Sequence, residues 1–185
     1  MQDILSGLIT SKLKIKMLVR FFLNPSSQVY LRELATEFDV SSNAVRSELN
    51  HLADSKLINS EKNGRKVLYS ANLDHPLYPE LASMAKKTMG IDQVIESIIA
   101  RLGKLEKAYL LDDYAQGKDT GIIDLLLVGD IDSFHLHDLS KKTEQYLKRK
   151  IRYLVLTRED FEDFQKNLQN RPYLLIWEAP KAEDR

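Results

Sequence analysis

Residues 57–71 constrain the fold more than any other stretch of the chain. Leu57-Ile58-Asn59-Ser60-Glu61-Lys62 and Arg65-Lys66-Val67-Leu68-Tyr69-Ser70-Ala71 are two β-prone runs joined at Asn63-Gly64. Asn-Gly is the strongest short hairpin signal, because both residues tolerate the positive φ that a tight two-residue loop demands. Three cations, Lys62, Arg65 and Lys66, crowd the tip of this hairpin. Upstream the spacing is helical. Ser11 can cap a helix over Lys12–Leu23 with Leu13, Met17 and Phe21 on one face and Leu18 and Phe22 on its flank. Asn24-Pro25-Ser26-Ser27 stops it, and Val29-Tyr30 is a short β-prone pair. A second helix follows over Leu31–Phe38, with Leu34, Ala35 and Phe38 inward. Asp39-Val40-Ser41-Ser42 then makes a tight turn, and Ser41 or Ser42 caps a third helix over residues 42–54.

That third helix divides its residues by chemistry. With Asn43 at the origin and about 100° per residue, Leu52, Val45 and Leu49 fall at roughly 180°, 200° and 240°. Asn43, Arg46, Ser47 and Asn50 gather on the opposite side, with Glu48 off their stripe. Asn and Ser are poor helix formers, whereas a merely solvated face is usually a Glu and Lys mixture. A solvated face and a base-reading face both remain open on the helix alone. Asn and Arg side chains form the bidentate hydrogen bonds that read base edges. Helix, helix, turn, helix and a basic-tipped hairpin together form the winged helix-turn-helix order, in which a helix enters the major groove and a wing grips adjacent phosphates.

The overall charge conceals this. The chain has 185 residues, 27 Lys+Arg and 27 Asp+Glu, for a formal net charge of zero. Residues 11–70 nevertheless carry ten basic and six acidic side chains, and residues 91–185 carry 15 basic and 18 acidic. The sign change points to two modules with different partners. The length suits one domain or two small ones, and 43% apolar with 29% charged residues is ordinary globular usage. The absence of cysteine excludes disulfides, thiolate zinc sites and thiol catalysis. No run approaches the roughly 18 apolar residues of a membrane span, and Met1-Gln2-Asp3 lacks the basic start of a signal peptide. A cytoplasmic protein is expected.

The segment YLRELATEFDVSSNAVRSELNHLADSKLI, followed by NGRKVLYSAN, resembles the winged-helix module of the ArsR-type bacterial regulators over about residues 11–75. The resemblance implies double-stranded DNA as partner. It assigns Ser41, Ser42, Asn43, Arg46, Ser47 and Asn50 to the groove, and Lys62, Asn63, Gly64, Arg65 and Lys66 to the wing. ArsR-type sensors often bind metals through Cys, His or acidic residues. Here the only histidines are His51, His75, His135 and His137, and a spacing of two places the last pair about 200° apart on a helix. No metal and no cofactor are expected.

Beyond His75-Pro76-Leu77-Tyr78-Pro79, apolar residues recur at helical spacing on either side of Gly90 until Gly103, a helical bridge over 76–103. Its 91–102 stripe needs a partner surface, either the following module or a dimer seam. Residues 104–185 alternate strand patterns at 107–111, 122–128, 151–156 and 173–177 with helical ones at 132–149 and 157–167. Thr157-x-x-Asp160 opens the last helix as a capping box. The fold class expected is therefore α+β: a winged helix over 1–75, the bridge, and a small mixed-sheet domain.

The segment AYLLDDYAQGKDTGIIDLLLVGD resembles the small nucleotidyltransferase domain that often follows such a winged helix. The framework is kept at Tyr114-Ala115, Gly117, Asp124 and Leu125–Val128. The family's chemistry is not. Asp112-Asp113 stand where Gly-Ser would meet the triphosphate, and Gln116 replaces an Arg. Ile122-Ile123-Asp124 leaves one carboxylate of a metal pair, and Lys150–Val155 supplies none. Asp112 and Asp113 also suit a plain helix N-terminus. Nucleotidyl transfer depends on metals clamping the attacking and leaving oxygens, so this domain is expected to be no enzyme. Dimerisation, sensing of a small-molecule or protein effector, and partner docking are the roles left to it. The alternatives are an active nucleotidyltransferase and an antitoxin-like interaction module.

Overall fold

The computed structural model describes residues 5, 7–168 and 170–180; Met1–Asp3 and the tail 181–185 lie outside the described residues. The chain divides into two compact units, Met1–Met89 and Gly90–Arg185. The stretch read as a bridge is split between them, its first helix in one unit and its second in the other.

The first unit runs α1 (Lys12–Phe22), β1 (Gln28–Tyr30), α2 (Leu31–Phe38), α3 (Ser42–Asp54), β2 (Ile58–Asn63), β3 (Lys66–Ala71) and α4 (Tyr78–Met89). Ser11 caps α1 by accepting from the Lys14 N–H at 3.2 Å. Asp39 ends α2 in the left-handed region, φ 53°. Ser41 caps α3 by accepting from Ala44 N–H at 3.2 Å, leaving Ser42 as the first helical residue. The three strands form an antiparallel sheet in the order β1-β3-β2.

Helix α1 departs from the single apolar face read from its spacing. Ile15 and every residue from Met17 to Phe22 are buried, while Leu13 is only half-buried. The cause is α4, which packs along α1 and contributes buried Ala85, Thr88 and Met89, with Phe22 and Tyr78 rings 6.0 Å apart. A helix enclosed on two sides shows no one-sided stripe. Even Arg20 is buried, its guanidinium bound to Glu37 at 3.2 Å and to the Ser27 hydroxyl.

The hairpin differs by one residue from the Asn63-Gly64 loop. Asn63 pairs with Lys66, so the loop residues are Gly64 and Arg65. Gly64 has φ +60° and Arg65 is not among the positive-φ residues, the pattern of a type II′ turn. Asn63 is retained in the strand, where its amide donates to the Tyr30 hydroxyl at 3.1 Å. Buried Ile58 opposite buried Ala71 anchors the base of the hairpin in the same register.

The second unit runs α5 (Ile91–Ser97), a 3₁₀ turn (Ile99–Arg101), β4 (Leu105–Leu111), α6 (Asp112–Ala115), β5 (Ile122–Gly129), α7 (Ser133–Leu147), β6 (Lys150–Leu156), α8 (Arg158–Leu168) and β7 (Tyr173–Glu178). Its mixed sheet has the order β6-β5-β4-β7, with β5 and β6 parallel and the other pairs antiparallel. On one face Tyr109, Leu111, Leu126 and Val128 pack against Phe161, Phe164 and Leu168 of α8. By the two-residue alternation of strands, Ile123, Leu125 and Leu127 line the other face. Of the apolar stripe of 91–102, Ile91, Val94, Ile98, Ile99 and Leu102 are buried and Ile95 is half-buried, with α5 in contact with α7 and β7 of the same unit.

The capping box of α8 is half formed. Asp160 N–H donates to Thr157 Oγ1 at 3.1 Å, but the Asp160 carboxylate accepts from the Thr157 hydroxyl at 2.8 Å rather than from its backbone N–H. Aspartate is one methylene shorter than the glutamate of a full box.

Candidate nucleic-acid interface

Helix α3 buries Val45 and Leu49 and half-buries Leu52, which fixes its rotation about its own axis. Asn43, Arg46, Ser47 and Asn50 are consequently all exposed, as are Ser41 and Ser42 before them. Arg46 donates to Asn43 Oδ1 at 3.1 Å, so two of the four polar side chains are already oriented with respect to each other. The Ser41 hydroxyl is committed to the cap. Glu48, whose side chain is 18% exposed, lies 3.7 Å from Lys14 of α1. The one carboxylate in the middle of α3 is thus drawn toward the body of the unit, off the Asn-Arg-Ser-Asn stripe.

At the hairpin tip Lys62, Asn63, Gly64, Arg65 and Lys66 are exposed. Sequence spacing had no means of finding Tyr30. It ends β1, pairs with Leu68 of β3, and accepts the Asn63 amide, while the Lys66 ammonium lies 5.2 Å from its ring centroid. Tyr30 therefore braces the hairpin where α2 begins, and the signal for it lay only in the strand pairing. Arg32 in the first turn of α2 is a further exposed cation that the hairpin-centred reading missed.

The second candidate site lies in the other unit. Asp112 opens α6 with a left-handed φ of 55°, its N–H donating to the Pro172 carbonyl at 2.8 Å. Asp is one of the few non-glycine residues that tolerates this conformation. Its carboxylate is bound by the Arg171 guanidinium, with Nε at 2.9 Å. Asp113 lies 4.0 Å from Lys118. Asp124 sits opposite Arg152 in the parallel β5–β6 register and is gripped by it bidentately, at 2.6 and 2.7 Å. Gly117 follows α6 in a left-handed conformation, φ 78°. The Asp112 hydrogen bond raises the pKa of Arg171, and the Asp124 hydrogen bond raises that of Arg152.

Of the two aspartates read as anions confronting a phosphate, Asp112 is countered by Arg171, and Asp113 has Lys118 as its nearest cation. The β6 position opposite Asp124 carries the Arg152 guanidinium and no carboxylate. Among the described residues, no group of three or more His, Cys, Asp or Glu is placed to hold a metal ion. His137 lies with its Nδ1 3.3 Å from the Tyr153 hydroxyl. Among the described residues, no helix is long and apolar enough to cross a membrane.

No family model and no curated protein matches the chain. Among solved structures, the chain is similar to reduced HlyU from Vibrio cholerae, at 18% identity, covering 48% of this chain and 85% of that one with a TM-score of 0.37. It is similar to AF1382 from Archaeoglobus fulgidus at 15% identity, covering 50% and 96% respectively, TM-score 0.37. The transcriptional regulator BldR from Sulfolobus solfataricus matches at 15% identity over 52% of this chain and 69% of its own, TM-score 0.37.

Proposed function

We propose that the chain is a sequence-specific DNA-binding regulator of the winged-helix kind, with α3 reading base edges in the major groove and the β2–β3 hairpin gripping phosphates. The observation that carries this is the polar stripe of α3. Asn43, Arg46, Ser47 and Asn50 are exposed together on a helix whose glutamate is drawn toward Lys14. Arg46 is the best placed to pair bidentately with a guanine, and Asn43 and Asn50 suit adenine. Ser41 and Ser42 supply contacts at the helix start, and Lys62, Asn63, Gly64, Arg65 and Lys66 supply the wing.

The second unit reuses a nucleotidyltransferase-like scaffold without its chemistry. Two-metal catalysis needs carboxylates open to a cation, and Asp124, the one carboxylate left of the metal pair, is bound by Arg152. It serves as the regulatory half, in an ArsR-like protein that acts as a homodimer on paired half-sites and responds to a small-molecule or protein effector.

The test is Arg46→Ala in a competition binding assay against selected and random duplexes. The expected result is a loss of roughly 1–3 kcal/mol of discrimination, with a much smaller loss on random DNA. Equal losses on both would make Arg46 a phosphate contact, and no sequence-selective retention from a genomic library would overturn the reading.

A further inference from the structure

The second unit contains a cavity of about 310 Å³, lined by α5, the 3₁₀ turn and α7. That volume is at the small end of the roughly 300–1,000 Å³ range of small-molecule sites. Its lining is chemically uneven. Glu96 and Arg101 both border it, five residues apart in sequence, where α5 gives way to the 3₁₀ turn at Ile98. Neither forms an ion pair or a side-chain hydrogen bond with any described residue. Arg149, Arg152, Arg158 and Arg171, the other described arginines of this unit, are each bound to an Asp or Glu. Arg101 is the exception. The Lys142 charge at the rim is taken up by Asp138 at 2.6 Å.

In the wall of the same cavity, Thr143 Oγ1 donates to Ser97 Oγ at 3.1 Å. Tyr146, a large aromatic side chain left 67% exposed, also lines it. One cavity is thus bordered by a solvent-exposed carboxylate and a solvent-exposed guanidinium, neither paired with a described residue, and by an aromatic ring. A small molecule that engages all three carries an ammonium, a carboxylate and a flat apolar group. We propose that this cavity is a binding site for a free α-amino acid with an aromatic side chain. Glu96 takes its ammonium, Arg101 its carboxylate, and the ring packs on Tyr146. The site stands on the second unit alone and does not depend on DNA binding.

The full chain is titrated without DNA, following backbone amide shifts of residues 93–101 and 139–146, with L-phenylalanine, phenylacetate and phenethylamine as probes. Saturable shifts with L-phenylalanine are expected, with each one-charge analogue weaker by about tenfold or more. Arg101→Gln weakens L-phenylalanine and leaves phenethylamine unchanged; Glu96→Gln weakens it and leaves phenylacetate unchanged. Tyr146→Ala weakens all three. Both charged residues are exposed, so their variants keep the fold. Absence of saturation up to roughly 10 mM, beyond a weak millimolar Kd, overturns the proposal. So does an analogue that binds as well as the amino acid.

Discussion

Removing the Asp119 carboxylate probes the one ion pair buried on both sides among the described residues of the second unit. The side chains of Arg149 and Asp119 are 5% and 14% exposed, and two hydrogen bonds of 3.0 and 2.6 Å join them. Arg149 also donates to the Leu147 carbonyl at 2.9 Å, and Asp119 accepts from Gly121 N–H at 3.2 Å. Asp119→Ala leaves a guanidinium buried and stripped of its counter-charge, a change that costs about 3–5 kcal/mol, well above the roughly 0–1 kcal/mol of an exposed pair. The assay is urea unfolding followed by tryptophan fluorescence. The single tryptophan, Trp177, lies opposite Ala108 on β7, so its emission reports on this sheet. The midpoint should fall with little change in slope. Acid supplies a second readout. Burial, the largest single influence, raises the Asp119 pKa, but the Arg149 hydrogen bonds and charge together with Gly121 N–H outweigh it, and the net shift is downward. A depressed carboxylate contributes stability above its ordinary pKa of about 3.9 and loses it as the pH falls through the folded value. Wild-type protein should therefore lose stability below about pH 4 through this pair, and Asp119→Ala should lack that component. A loss under about 1 kcal/mol at neutral pH would refute the reasoning, because it would mean that Arg149 recovers its solvation elsewhere.

Three further expectations follow from single positions. Gly129→Ala places a Cβ 2.4 Å from the Lys104 carbonyl oxygen and 3.0 Å from Leu105 Cα, backbone atoms that cannot rotate away. It should destabilise the second unit by about 2 kcal/mol or more; a Trp177 unfolding midpoint equal to that of wild type would contradict the close β4–β5 approach. Lys62→Ala should weaken DNA binding uniformly and reduce the slope of log affinity against log salt by about one, and an unchanged slope would remove the wing from the interface. Incubation with Mg²⁺ and labelled nucleotide should label neither the wild type nor Asp124→Asn. Label that depends on Asp124 would restore catalysis to the second unit.

The parts of the fold legible in the sequence are those specified by local chemistry. Ser11 and Ser41 cap their helices because a hydroxyl at that position satisfies a backbone N–H in any context. Val45 and Leu49 set the rotation of α3, so the exposure of Asn43, Arg46, Ser47 and Asn50 follows from the 3.6-residue period alone. What was not legible depends on residues far apart in sequence. The Asn-Gly rule put both loop residues one position early because it cannot see Tyr30, whose hydroxyl takes the Asn63 amide from 33 residues away and holds it in the strand. Helix α1 looked one-sided because nothing in residues 12–23 announces α4.

The aspartates of the second unit fall in the same category, and they bear most directly on function. Read along the chain, Asp112 and Asp113 look like anions facing a phosphate and Asp124 like a lone metal carboxylate. In three dimensions Arg171, 59 residues on, and Arg152, 28 residues on, bind Asp112 and Asp124. Arg152 is bidentate and aligned by the β5–β6 register, a geometry that resists opening more than a lone surface pair would. A metal approaching Asp124 would have to displace the Arg152 guanidinium and leave that cation beside it. The two bridges are charge-paired joints, Asp124–Arg152 between neighbouring strands and Asp112–Arg171 between α6 and the residues that lead into β7. Each bridge ties together segments that are distant in sequence, which is a structural contribution to the second unit whatever its role.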